Sequence, residues 1–161
     1  MKNTTKKAPA KKVPSRKAKS APAKARAAAE ASKMCSVSAS FTVNDVEKSL
    51  AWYRDVLGFA VEERWERDGK LLGVELRAGG VSVMLGQDDW KKERDRKKGE
   101  GFRIYILCDA PRDVDALAKR IESHGGTLEH PPRNEPWGMR DVSLTDPDGF
   151  KLTICAETKK R

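Results

Sequence analysis

Val37, Ala39, Phe41 and Val43 alternate with Ser36, Ser38, Ser40 and Thr42. A period of two predicts a strand with one apolar and one polar face. Asn44 follows as a helix cap, and Glu47 stands where a capping box needs its acidic partner. Val46, Leu50, Tyr53 and Leu57 form an apolar stripe at helical spacing, which Gly58 ends. Three strands are predicted next, over 59–67, 70–78 and 81–87, with hairpins at Asp68-Gly69 and Gly79-Gly80. Residues 88–101 are charged and lack apolar periodicity, so they read as a linker, with Trp90 as an anchor or an exposed aromatic. The order then repeats. A strand over 102–108 leads into a helix capped by Asp109, with Pro111 in its first turn and Val114, Leu117, Ala118 and Ile121 on its buried stripe. Gly125-Gly126 stops that helix, and strands near 127–131, 138–145 and 149–156 complete the second set.

The two sets look duplicated. Asp45, Gly58 and Gly80 recur as Asp113, Gly126 and Asp148, each pair 68 residues apart. A constant offset over three landmarks points to a repeated unit, since independent insertions would scatter it. The expected fold class is α+β: two tandem βαβββ modules, about 35–87 and 102–157, forming an incomplete barrel with a central groove. They make one domain over 34–161, and a groove between duplicated halves is a place for small molecules.

Charge divides the chain differently. Of 33 basic and 24 acidic residues, residues 1–33 hold nine Lys and two Arg against Glu30 alone, a local charge of +10. The other 22 basic and 23 acidic residues nearly cancel. The globular part therefore offers no electrostatic case for a nucleic-acid-binding face. The tail is Lys, Ala and Pro-rich, and such a segment cannot bury enough apolar area to offset the ordering of its backbone, so it is expected to be disordered. It reads either as a polycation that sits on nucleic acid by counterion release, similar in make-up to linker-histone tails, or as a solubilising extension. Cys35, Cys108 and Cys155 are odd in number and far apart, which fits apolar fillers in a reducing compartment and predicts no disulfide. No apolar run approaches the ~20 residues of a membrane span, and there is no secretory core, so the expected location is cytoplasmic, with nucleoid association implied by the tail.

Two stretches carry a specific resemblance. LAWYRDVLGF (50–59) and LTDPDGFKLTI (144–154) resemble the glyoxalase / bleomycin-resistance / extradiol-dioxygenase superfamily, the vicinal oxygen chelate fold. PWGMRDVSLTDPDG (136–149) is most similar to its bleomycin-resistance branch. The resemblance covers about residues 35–157. In the metal-dependent enzymes of that family, four His, Glu or Gln ligands come from the first and last strand of each module. Placed by motif, those positions fall here on Ser38, Met84, Arg103 and Thr153. This is no ligand set for a divalent cation, and Arg brings a fixed positive charge. The alternation of each strand independently turns all four away from the apolar face and toward the groove.

The groove is therefore expected to bind without a metal or other cofactor. Ser38, Ser40, Glu75, Met84, Arg103, Tyr105 and Thr153 line it, with Trp65 and Trp137 as aromatic walls. Met84 and Tyr105 offer adaptable apolar surface, and the Arg103 fork suits a carboxylate or phosphate. A Glu75–Arg103 ion pair across the groove is an alternative that would only stiffen the sheet. Trp52 reads as core or interface packing, His124 as a helix-end residue, and His130 as a residue bordering the groove. Asp146 and Asp148 are expected to accept backbone N–H bonds within their turn and are assigned no chemistry. No residue is assigned a catalytic role. The resemblance implies metal-free sequestration of a small molecule of unspecified identity, in a homodimer with ligand sites between subunits. The alternatives are a metal-dependent glyoxalase-like lyase or dioxygenase recruiting Glu75 and His130, and a nucleic-acid-associated protein acting through its tail.

Overall fold

A computed structural model describes residues 36–91 and 97–159. Cys35, the tail 1–33 and part of the linker lie outside them. The α+β fold of two βαβββ modules is present. The first runs β1 (Ala39–Val43), α1 (Val46–Trp52) with a π-helical turn (Tyr53–Leu57), β2 (Ala60–Arg67), β3 (Lys70–Ala78) and β4 (Val81–Gln87). The second runs β5 (Arg103–Leu107), α2 (Pro111–Ser123), β6 (Arg133–Asn134), β7 (Met139–Thr145) and β8 (Lys151–Glu157). Each module forms its own four-stranded sheet, in the order β1-β4-β3-β2 and β5-β8-β7-β6. In both, the first strand lies parallel to the last and the remaining pairs are antiparallel. Among the described residues no strand of one sheet pairs with the other, so no closed barrel forms.

Three local expectations need correction. Asp45, not Asn44, caps α1: its carboxylate accepts from the Lys48 amide at 3.1 Å. The Asn44 amide instead donates to Asp148 in the second module at 2.6 Å. The N-cap of α2 is Ala110, not Asp109, and the Asp113 carboxylate accepts from the Ala110 amide at 3.0 Å. Asp45 and Asp113 are therefore not equivalent, one being a cap and the other three positions inside its helix. The left-handed glycines that follow the helices are Gly58 (φ +84°) and Gly125 (φ +80°). The 68-residue spacing thus approximates a repeat whose halves have drifted. Finally, 127–131 gives only an isolated bridge between Leu128 and Leu144, and the short strand follows at Arg133–Asn134. Pro131 and Pro132 have no N–H for a ladder.

The apolar stripes read from the sequence converge on one core. Phe41, Tyr53, Leu76 and Leu85 of the first module and Ile121, Val142, Leu144 and Leu152 of the second are buried in a single cluster. Each buried Leu or Phe contributes about 1.5–3 kcal/mol relative to exposure. Phe41 stacks on Phe150 with ring centroids 4.4 Å apart, joining the halves. Polar ties reinforce the seam. Asp148 accepts from the Ser49 hydroxyl at 2.7 Å, and Asp146 accepts from the buried Tyr53 hydroxyl at 3.0 Å. Asp146 also takes the Asp148 and Phe150 amides of its own turn. The DPDG carboxylates thus do more than close a turn: they hold the second module against α1. The Arg120 guanidinium of α2 completes the seam by donating to the Asp55 carbonyl at 2.9 Å, where α1 ends and carbonyls lack partners.

Candidate functional site

With the helix sides facing the shared core, the other face of each sheet is set by strand pairing. In the first module β1 and β4 pair Ser40 with Met84, β3 and β4 pair Glu75 with Met84, and β2 and β3 pair Trp65 with Gly73. Paired residues share a face, so Ser40, Met84, Glu75 and Trp65 line one surface. Ser38 precedes β1 and is exposed. The Trp65 indole lies over Gly73, where a Cβ would sit 2.8 Å from the ring, and it is 38 % exposed. Here glycine is required for the close approach and not for a backbone angle. Glu75 accepts from the buried Ser82 hydroxyl at 2.7 Å and lies 3.9 Å from the Arg77 guanidinium.

The second face is organised differently. Tyr105 pairs with Thr153 and Ser143 pairs with Thr153 across β5, β8 and β7. The Arg103 guanidinium donates to the Thr153 hydroxyl at 2.9 Å and to the Glu129 carboxylate at 3.3 Å. The Ser143 and Thr153 hydroxyls share a hydrogen bond of 2.8 Å, and Thr145 donates to Glu129 at 2.8 Å. Partial burial raises the Glu129 pKa, but the bonds from Thr145 and Arg103 outweigh it and hold the carboxyl below its usual range. Beside this network Tyr105 is 62 % exposed. Trp137 stands 70 % exposed on the turn closed by the Gly138 amide donating to the Glu135 carbonyl.

The structure therefore brings Ser40, Trp65, Glu75 and Met84 together on one sheet and Arg103, Tyr105 and Thr153 on the other. The expected Glu75–Arg103 pair does not form within the chain, because Ser82 and Arg77 occupy Glu75 while Thr153 and Glu129 occupy Arg103. His130 turns Nδ1 to the Pro131 carbonyl and His124 turns Nδ1 to the Arg120 carbonyl. Trp52 packs edge-on against Tyr53 in the core periphery, as expected of a packing residue. Cys155 is buried and Cys108 partly so, both without a disulfide, and burial pushes both thiols up. Sequence reasoning missed Glu129, Ser143 and Thr145. The signal for the latter two was present: Ser143 and Thr145 alternate with apolar Val142 and Leu144. Glu129 lies outside any strand, where alternation gives no guide.

The donor set does not fit a divalent cation. Met84 offers a thioether, Arg103 a cation, and Thr153 a hydroxyl already engaged on both sides. Among the described residues no group of three or more His, Cys, Asp or Glu is arranged to hold a metal. No helix there is long and apolar enough to cross a membrane.

Comparison with known proteins places this geometry. The chain is 25% identical to the glutathione transferase FosA of Serratia marcescens over 115 residues, covering 71% of this chain and 75% of that protein. A superfamily member from Sphaerobacter thermophilus superimposes with a TM-score of 0.60 at 31% identity, covering 77% of this chain and 98% of that one. A related domain from Frankia gives a TM-score of 0.66 at 20% identity, covering 81% and 96% respectively, and shows the shared fold. The Glyoxalase/Bleomycin resistance protein/Dioxygenase profile matches residues 36–154, and with the paired βαβββ modules described above the chain belongs to that superfamily.

Proposed function

We propose that this protein binds a small molecule without a metal, similar to bleomycin-resistance proteins that sequester their ligand. The observation that carries the reading is the Arg103–Thr153–Ser143 chain of hydrogen bonds, which engages Arg103 and Thr153, two of the four positions a chelate site would need, with other side chains. Sequestration requires only a complementary surface. Trp65, Tyr105 and Trp137 are exposed aromatic faces able to stack a flat or cationic ligand, at about 0.5–2 kcal/mol per good contact. The Arg103 fork, with donors beyond those given to Thr153 and Glu129, orients a carboxylate or phosphate.

A homodimer is part of this proposal. The described strands β1 and β5 stand at sheet edges, and Tyr105 is exposed on β5. Such edges invite strand pairing. Pairing through them would join the face of Met84 and Trp65 in one copy to that of Arg103 and Thr153 in its partner as one continuous surface, with one ligand site at each junction. A thermal-shift screen of aromatic, cationic and anionic compounds, run with and without a chelator, tests the function. The expected result is stabilisation by an aromatic ligand that the chelator leaves unchanged. Stabilisation or turnover lost with the chelator and restored by Ni, Zn, Mn or Fe instead selects the second reading, a metal-dependent lyase or dioxygenase built around Glu75 and His130. The likeness to the Serratia glutathione transferase favours assaying for an enzymatic activity alongside binding.

The tail, with its charge of +10, adds a third role: non-specific nucleic-acid binding that would hold the domain at the cytoplasmic nucleoid. Truncation of residues 1–33 is expected to remove DNA binding and its steep salt dependence. Full-length protein without DNA affinity at low salt contradicts this role.

A further inference from the structure

A part-open pocket lies on the core side of β8 and α2, away from the proposed ligand face. It measures about 130 Å³ and sits at the seam of the modules. Leu57 and Ala78 of the first module line it, together with Leu107, Cys108, Leu117 and Ile154 of the second. Ile154 and Leu117 belong to the core side of β8 and α2. Met84, Arg103 and Thr153 do not reach it. Leu107, 67 % exposed at the end of β5, stands at its mouth.

The pocket is partly open to the surface beside Leu107. A water placed there needs two to four polar partners. Among the described residues of the wall, the one polar side-chain group is the Cys108 thiol, a weak donor. Water is therefore a poor occupant and an apolar molecule a good one. A dry cavity of about 150 Å³ lined by Leu, Ile and Phe takes up benzene or xenon, so the size here suits the same class. We propose that this cavity is a distinct binding site for a small, uncharged apolar molecule of roughly benzene's size, held between the two modules by Leu57, Ala78, Leu117 and Ile154. The site does not depend on the ligand or the metal state of the other face. Because its walls come from both modules, occupancy fastens one module to the other.

The test is a fluorine-NMR titration of the full-length protein with fluorobenzene. The expected result is a saturable shift of the fluorine resonance and a rise in Tm that tracks it. Ala78→Leu and Cys108→Leu each extend a side chain into the void and are expected to weaken binding about tenfold or more, with the circular-dichroism spectrum retained. Two such variants keep the test decisive if one fails to fold. A linear, unsaturable response overturns the proposal. So does saturable binding that both filling variants leave unchanged, or binding that is abolished by Trp65→Ala on the other face.

Discussion

The two modules repeat a scaffold but not a surface. On the first, polar atoms sit in local pairs near one end of β3 and β4, Glu75 with Ser82 and Arg77, which leaves Met84 and Trp65 as an adaptable apolar floor. On the second, a continuous chain runs from Thr145 through Glu129, Arg103 and Thr153 to Ser143. The helix sides tell the opposite story, since both fill one shared core. Core positions are constrained by volume and outer-face positions only by what they must touch, so duplication preserved the first and let the second diverge.

The shared core gives the largest expected effect. Leu85→Ala and Leu144→Ala empty equivalent-sized, fully buried sites in different modules, and each is expected to cost about 2–5 kcal/mol in urea denaturation. Both should unfold in one transition, and two separated transitions would contradict a common core. Next is the carboxylate tie. Asp148→Ala removes acceptors from the Asn44 amide and the Ser49 hydroxyl and is expected to cost about 1.5–3 kcal/mol. Ligand affinity on the outer faces should survive it.

The helix-ending glycines sharpen the comparison at smaller scale. Gly58 and Gly125 both hold left-handed angles, so Ala at either costs about 1–2 kcal/mol. Only at Gly58 would the new Cβ also press on Arg120, 2.8 Å from Nε, while Gly125 has open space. Gly58→Ala is therefore expected to lower Tm further than Gly125→Ala. On binding, Trp65→Ala and Trp137→Ala are expected to weaken an aromatic ligand by about two- to thirtyfold each in calorimetry, the equivalent of 0.5–2 kcal/mol.

The smallest effect is a pH dependence. Burial outweighs the bonds Asp146 receives and raises its pKa, so the folded state holds the proton to higher pH than the unfolded chain. The sign follows from linkage: this contribution is full below the unfolded carboxylate range and is lost as pH rises through the folded pKa. Stability from Asp146 should therefore increase as pH falls from neutral into the acidic range, and Asp146→Asn should flatten that slope.

Much of this was legible in the sequence because burial writes a period into a chain. The alternation at 39–43 and the stripe of Val46, Leu50, Tyr53 and Leu57 located a strand, a helix and their buried faces, whereas Val37, expected on the same strand face, precedes the strand and is 91 % exposed. Caps were less legible: Asn44 and Asp45 are equally good cap residues, and the choice between them was made by Asp148, 104 residues away from Asn44. The second-module network was half readable, since Arg103 and Thr153 alternate correctly, but their bond and the part played by Glu129 depend on three-dimensional neighbours that no local pattern encodes. Likewise nothing local marks Gly73 as required, because its role is set by the Trp65 ring that lies across it.

Metal content tests the central claim most directly. Full-length protein purified without chelator should carry far less than one equivalent of any divalent metal per chain by elemental analysis, and should keep its affinity for an aromatic ligand. One tightly held divalent ion per chain would contradict it.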